Sequence, residues 1–142
     1  MRRLNDEEIR AFLTAGTRTG KLGVTRLDGS PMVVPVWFDV DDDDTLLFTT
    51  WHDGIKGKSI LRDGRVSLCV DEEHPPYAYV RVDGRATVSE EPELLRVWAT
   101  RIAGRYMGAE LAEQFGRRNG VPGELLVRIT PTRTVAQAGI AD

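Results

Sequence analysis

Short stretches of period-two alternation recur along this chain, separated by tight turns, and few segments carry a helical period; that pattern restricts it to an antiparallel β architecture. The stretch Thr45–Val70 shows the logic most fully. It opens with an alternating strand, Leu46–Trp51, passes through a loop, Trp51–Gly54, and continues into a helix-compatible run, Ile55–Arg62. Asp63-Gly64 closes that run, with Gly where a helix C-terminus favours positive φ. A second strand, Arg65–Val70, completes the unit. Hydroxyls at a strand end, followed by Lys56 and Lys58 in a first helical turn, are the ingredients of an anion site. Free N–H groups at a helix start point outward, and the dipole and the ammonium groups favour negative charge. The same lysines also suit a merely solvated surface helix.

The remaining elements follow in order. Leu4–Gly16 reads as an amphipathic helix with Asn5 and Glu8 forming a capping box, Leu4 and Ile9 a hydrophobic staple, and Gly16 the stop. Gly20–Leu27 alternates, with Leu22 and Val24 on one side; Asp28–Pro31 is a hairpin turn. Met32–Val40 is a near-continuous apolar run, consistent with burial on both faces. Pro35 within it removes a ladder donor and demands an edge or a bulge. Asp41–Asp44 reads as a solvated hairpin tip, since a calcium loop needs alternating ligands and a central Gly. Glu72–Pro76 is a rigid loop. Tyr77–Ser89 is a long strand with Tyr79, Arg81 and Asp83 on one face and a bulge at Asp83-Gly84. Pro92 at N1 starts a helix through Ile102, interrupted by Gly104–Gly108, and Ala109–Arg118 forms a second. Strands at Glu124–Thr130 and Thr134–Ala138 end the chain. Several strands with short turns and few helices make a closed antiparallel barrel, and no GxGxxG or strand–helix alternation supports a dinucleotide fold.

At 142 residues the chain is read as one domain, 1–142, with 41% hydrophobic and 29% charged residues. A net charge of −3 gives no nucleic-acid signature. Cys69 is the single cysteine, which fits a reducing cytosol; its place in an apolar strand reads as a small buried hydrophobe. The N-terminus has no apolar signal region, and no apolar run approaches the ~20 residues of a membrane span. These features point to a soluble, cytoplasmic protein. No metal-ligand cluster is expected, and His52 and His74 read as solvated loop histidines.

The run Phe48-Thr49-Thr50, then Lys56, then Arg65–Leu68 nine residues on (65 − 56 = 9) resembles the flavin-phosphate segment of the pyridoxamine 5′-phosphate oxidase-like superfamily. Further matching elements are Gly23–Pro31, Pro35–Phe38, Tyr77–Ala86, Arg105–Gly108 and Ile129–Arg133. Their order is closest to that of the deazaflavin (coenzyme F-420)-dependent oxidoreductases of this superfamily. The resemblance implies a mainly β fold with flanking helices, an antiparallel FMN-binding split barrel of Greek-key type, working as a homodimer. It implies that the cofactor tricycle lies against Pro35, Val36 and Trp37, with Trp37 either an apolar wall or a core residue. Thr49, Thr50, Lys56, Lys58 and Ser59 would hold the side-chain phosphate, and Tyr79 would stand near the cofactor across a dimer interface. Arg105 and Tyr106 would support that interface or simply pack and cap.

Departures from the family pattern carry information too. Pyridoxamine 5′-phosphate oxidases place Ser-Arg where Gly54-Ile55 stand here and an Arg where Val34 falls. Their closing Arg-x-His substrate motif has no counterpart after Glu124. That argues against vitamin metabolism and suits F-420 over FMN. The resemblance therefore implies hydride transfer to an unsaturated or quinone-like small molecule, with no side chain assigned as a catalytic acid. The alternative is an FMN-binding oxidoreductase or a non-catalytic flavin- or tetrapyrrole-binding protein.

Overall fold

The computed structural model spans Met1–Asp142. In chain order its elements are β1 (Arg2–Arg3), α1 (Asp6–Thr14), β2 (Gly20–Thr25), β3 (Pro31–Val36), β4 (Asp39–Val40), β5 (Leu46–Trp51) and α2 (Ile55–Arg62). They continue with β6 (Arg65–Glu72), β7 (Ala78–Ser89), α3 (Pro92–Met107), α4 (Ala112–Asn119) and β8 (Glu124–Ala138). One eight-stranded sheet runs in the order β3-β2-β6-β7-β8-β5-β4, with β1 added to the end of β8. All pairings are antiparallel.

The connection between β3 and β4 explains why this sheet curls. These strands are the two ends of the path, yet only Trp37 and Phe38 separate them in sequence. Three Cα steps span at most ~11 Å. The sheet must therefore roll up until its edges nearly meet, and because β3 and β4 do not pair, the barrel is split. Side chains from α3 satisfy the backbone in the gap. Phe38 donates its N–H to the Tyr106 hydroxyl at 3.3 Å, and Arg105 Nη1 donates to the Phe38 carbonyl at 2.8 Å. Arg105 also reaches the carbonyls of Leu13 and Gly16, and the Tyr106 hydroxyl donates to Arg18 O at 2.8 Å. These two residues fasten α1, the split and α3 together.

Inward-facing residues of alternate strand positions, among them Leu22, Leu46, Phe48, Leu68, Val80 and Ile129, make the core together with Phe38 from the split. Leu13 of α1 and Ile60 of α2 complete it. The capping box at Asn5 and Glu8 forms as expected, with N–H···O distances of 3.1 and 2.9 Å. On the outer side, α3 covers β5 and β8: Leu95 and Trp98 pack on Leu47 and Leu126. The outer side of β2, β6 and β7 bears no helix.

Several sequence expectations are corrected. The apolar run Met32–Val40 is not buried on both faces: β3 is an edge strand, as Pro35 requires, and Val33 is 68% exposed. Thr134–Ala138 is not a separate strand but the second half of β8. β7 is long enough to pair with both halves, and the register shift between Asp83 and Gly84 brings Gly84 opposite Pro131, which cannot donate to a ladder. Gly104 does not interrupt α3; it lets α4 approach, since a Cβ there would meet Ala112 Cβ at 3.3 Å. The helix ends instead at Gly108, φ 92°. Gly64 has no positive φ; its small size allows close approach to β7, where a Cβ would lie 2.9 Å from Ala86 O. Asp41 is buried rather than solvated, accepting from Thr45 N, Thr45 Oγ1 and Arg128, and these contacts hold its carboxyl below the usual range against the upward push of burial. Cys69 is half-buried on the outer face, outside the core. No helix is long and apolar enough to cross a membrane.

Candidate anion and cofactor site

Where β5 ends, the chain turns sharply into α2, and local contacts fix that corner. His52 donates its N–H to Gly123 O at 2.9 Å, and its Nδ1 lies 2.9 Å from the same oxygen. The first turn of α2 presses onto the carbonyls of Trp51 and His52 so closely that only glycine fits at 57: an added Cβ would overlap Trp51 O and lie 3.1 Å from His52 O. Gly54 is the N-cap and offers no side chain, and no acidic residue stands in the first turn. The N–H groups of Ile55, Lys56 and Gly57 have no backbone acceptor. A helix start that is pinned, uncapped and free of carboxylates in its own first turn presents three donors and a positive dipole end. Lys56 adds a half-buried ammonium with no ion pair; burial pushes its pKa down, and the nearby Glu124 charge partly restores it.

Sequence-nominated residues divide into those gathered at this corner and those elsewhere. β4 pairs with β5 only through Asp39–Leu47 and Val40–Leu46, and Trp37 lies in the gap just before that pairing. Trp37 is half-buried outside the core and stacks on Tyr106, with ring centroids 5.2 Å apart and planes within 4°. Thr49 and Thr50 point to opposite faces of β5, as adjacent strand residues must. Thr50 takes the core side and is 7% exposed, so Thr49 is the hydroxyl left for a ligand on the α3 side. Ser59 is 1% exposed and faces inward, away from any surface anion. Lys58 lies outward and pairs with Asp53 at 3.2 Å. Val36 is buried, whereas Pro35 is exposed on the open edge of β3.

Tyr79 stands apart. α2 packs at the Gly64–Ala86 end of β7, and Tyr79 lies at the other end, opposite Asp71 and Gln137. Six to seven residues of strand separate them, about 20 Å. Within the chain Tyr79 does not join the Lys56 corner. It belongs to the uncovered outer side of β2, β6 and β7, where Lys21 pairs with Asp71 at 2.9 Å and Ser67 Oγ donates to Asp83 at 2.8 Å. An open groove of 710 Å³ runs along that side between Gly23, Ser67, Asp83, Arg65 and Arg85, without reaching Lys56. No three His, Cys, Asp or Glu side chains converge as metal ligands.

Arg105 and Tyr106, expected either to support a dimer interface or to pack and cap, fill the split beside Trp37. One residue of the site is missed in the sequence. Glu124, half-buried beside Lys56 and His52, carries no motif; its only signal is the Gly123-Glu124 step at a strand start.

Residues 5–138 match the pyridoxamine 5′-phosphate oxidase family. No curated protein matches the sequence. Among solved structures, a conserved hypothetical protein of Mycobacterium tuberculosis superposes with a TM-score of 0.84 at 26% identity, over 96% of this chain and 86% of that one. An F420 reductase superposes with a TM-score of 0.68 at 24% identity, over 87% and 94%. An FAD-binding protein of Mesorhizobium loti gives 0.71 at 25% identity, over 95% of each chain. With the split antiparallel barrel and a match over nearly its whole length, this chain belongs to the pyridoxamine 5′-phosphate oxidase family.

Proposed function

We propose that this protein is a cytoplasmic, homodimeric F-420-dependent reductase that passes hydride to an unsaturated or quinone-like small molecule. The observation that carries the reading is the pinned, uncapped start of α2, with three free N–H groups and the unpaired Lys56. These groups suit the phosphate of a flavin-type side chain, and Thr49 offers a hydroxyl two residues before Trp51, the end of the strand that leads into α2. Trp37, backed by Tyr106, offers a flat apolar wall for a tricycle. β3 is an edge strand, so backbone groups not engaged by β2 are free to meet the polar edge of a heterocycle. Reduced F-420, when bound, supplies the hydride; the chain's own work is to hold the phosphate, set the ring against the wall and exclude water. Gly54-Ile55 and Val34, in place of the arginine-bearing positions of the vitamin oxidases, support F-420 over FMN.

The homodimer reading rests on the uncovered face of β2, β6 and β7 and on Tyr79. That residue reaches a Lys56 corner only if it is the corner of a second copy. Light scattering of the cofactor-loaded protein is expected to give twice the protomer mass; a monomer at micromolar concentration would refute the dimer.

A titration followed by ligand fluorescence tests the cofactor. F-420 is expected to bind more tightly than FMN, and the reduced form to be reoxidised when a quinone is added. The likeness to a protein named for FAD binding supports a second reading, an FMN-binding oxidoreductase or a non-catalytic flavin- or tetrapyrrole-binding protein. Yellow protein as purified, or FMN binding at least as tight as F-420, would establish that one instead.

A further inference from the structure

The Lys56 corner contains one charge of the wrong sign for an anion site. Glu124 opens β8 directly across from Trp51, the last residue of β5. His52 is tied to the carbonyl of the preceding Gly123, and the first turn of α2 is pressed onto the backbone of Trp51 and His52. Glu124, His52 and Lys56 therefore share one half-enclosed corner. Burial raises the Glu124 carboxyl, and the charges of Lys56 and His52 oppose that rise. The nearest other charges on α2 and its entry loop, Lys58 and Asp53, neutralise each other in an exposed pair.

We propose that Glu124 sets the charge selectivity of this corner, accepting a singly charged phosphodiester and disfavouring a doubly charged phosphomonoester. This rests on the reading that the cofactor phosphate sits at Lys56. With Lys56 positive, Glu124 negative and the helix start equivalent to roughly half a positive charge, the corner keeps a net charge of about +0.5, which one negative charge overshoots by about 0.5 and a doubly charged group by about 1.5. A phosphomonoester carries about −1.5 to −2 at neutral pH, whereas a diester carries one negative charge. The phosphate of F-420 links two groups and is a diester; that of FMN ends its chain and is a monoester. Glu124 thus gives the family's phosphate site a physical means of separating the two cofactors without touching either ring.

The clean probe keeps the ring constant. FMN and its phosphate monomethyl ester share tricycle and ribityl chain and differ by one charge. Each is titrated as a competitor of F-420 fluorescence at pH 8, where the monoester is fully charged. The full-length protein is expected to bind the methyl ester about tenfold or more tightly than FMN, and Glu124→Gln to bring the two within about threefold. Equal binding by the unaltered protein, failure of both to compete, or an unchanged ratio in Glu124→Gln overturns the proposal. The unaltered protein alone decides the matter if the variant does not fold. Lys56→Ala separates the two levels of inference. If it leaves methyl-ester binding intact, the phosphate is not at Lys56 and the underlying reading fails; if it weakens binding while Glu124→Gln keeps the ratio, only the selectivity proposal fails.

Discussion

The starts of α1 and α2 solve the same problem in opposite ways. Both helices begin with N–H groups that have no partner in the helix itself. At α1 the chain supplies its own cap: Asn5 accepts from Glu8 N, Glu8 accepts from Asn5 N, and Asp6, Glu7 and Glu8 place three carboxylates at the positive dipole end. The backbone contact and the Arg2 charge hold the Glu8 carboxyl below its usual range. At α2 nothing is supplied. Gly54 has no side chain, the first turn has no acid, and its charged groups are the cations Lys56 and Lys58, of which only Lys58 is paired. A helix start that carries its own anion needs none from outside; one that carries a cation and is pinned in place is built for an incoming anion. The contrast separates a helix that serves stability from one that serves binding.

Changes at the two starts should therefore sort into different readouts. The largest effect is expected at Gly57, where a Cβ would overlap Trp51 O. Gly57→Ala should cost about 2–3 kcal/mol in a denaturant melt by forcing α2 off its seat. It should also lose cofactor affinity, because the three N–H groups move with the helix. Lys56→Ala should weaken F-420 binding by about one to two orders of magnitude, the worth of a charge-assisted contact of roughly 1.5–3 kcal/mol. Its melting curve should be nearly unchanged. Asn5→Ala should do the reverse, costing about 1 kcal/mol of stability and leaving the titration as it was. Lys58→Ala should be the mildest. It lies ~200° round the helix from Lys56 and is engaged with Asp53, so a loss under about threefold is expected. If Lys58→Ala costs more affinity than Lys56→Ala, the binding face of α2 has been placed wrongly.

Local rules carried much of this structure, and non-local closure carried what they missed. The capping box at Asn5, the turn at Asp28-Gly29, the helix Ile55–Arg62 and the bulge at Asp83-Gly84 each follow from residues adjacent in sequence. Period-two patterning alone cannot tell whether a strand is interior or edge, so in sequence the apolar run through Val33 looks doubly buried. Only the rolled sheet decides that, and its closure at Phe38 depends on Arg105 and Tyr106, 67 and 68 residues away. In sequence Gly64 and Gly104 look like chain breakers, although close packing against Ala86 and Ala112 is what requires them. Within the candidate site, strand parity separates Thr49 from Thr50 and helical facing hides Ser59, distinctions a motif read as a string cannot make. Glu124 becomes visible only through the pairing of β8 with β5.

The claim that α2 is the anion-binding start can be read directly from backbone amide resonances. Nitrogen–proton correlation spectra of the isotopically labelled protein, recorded with increasing F-420, should show the Ile55, Lys56 and Gly57 amides moving downfield and saturating together. Glu7 and Glu8 in the first turn of α1 should stay where they are. Saturating shifts confined to other parts of the barrel, with Ile55–Gly57 unmoved, would contradict the assignment.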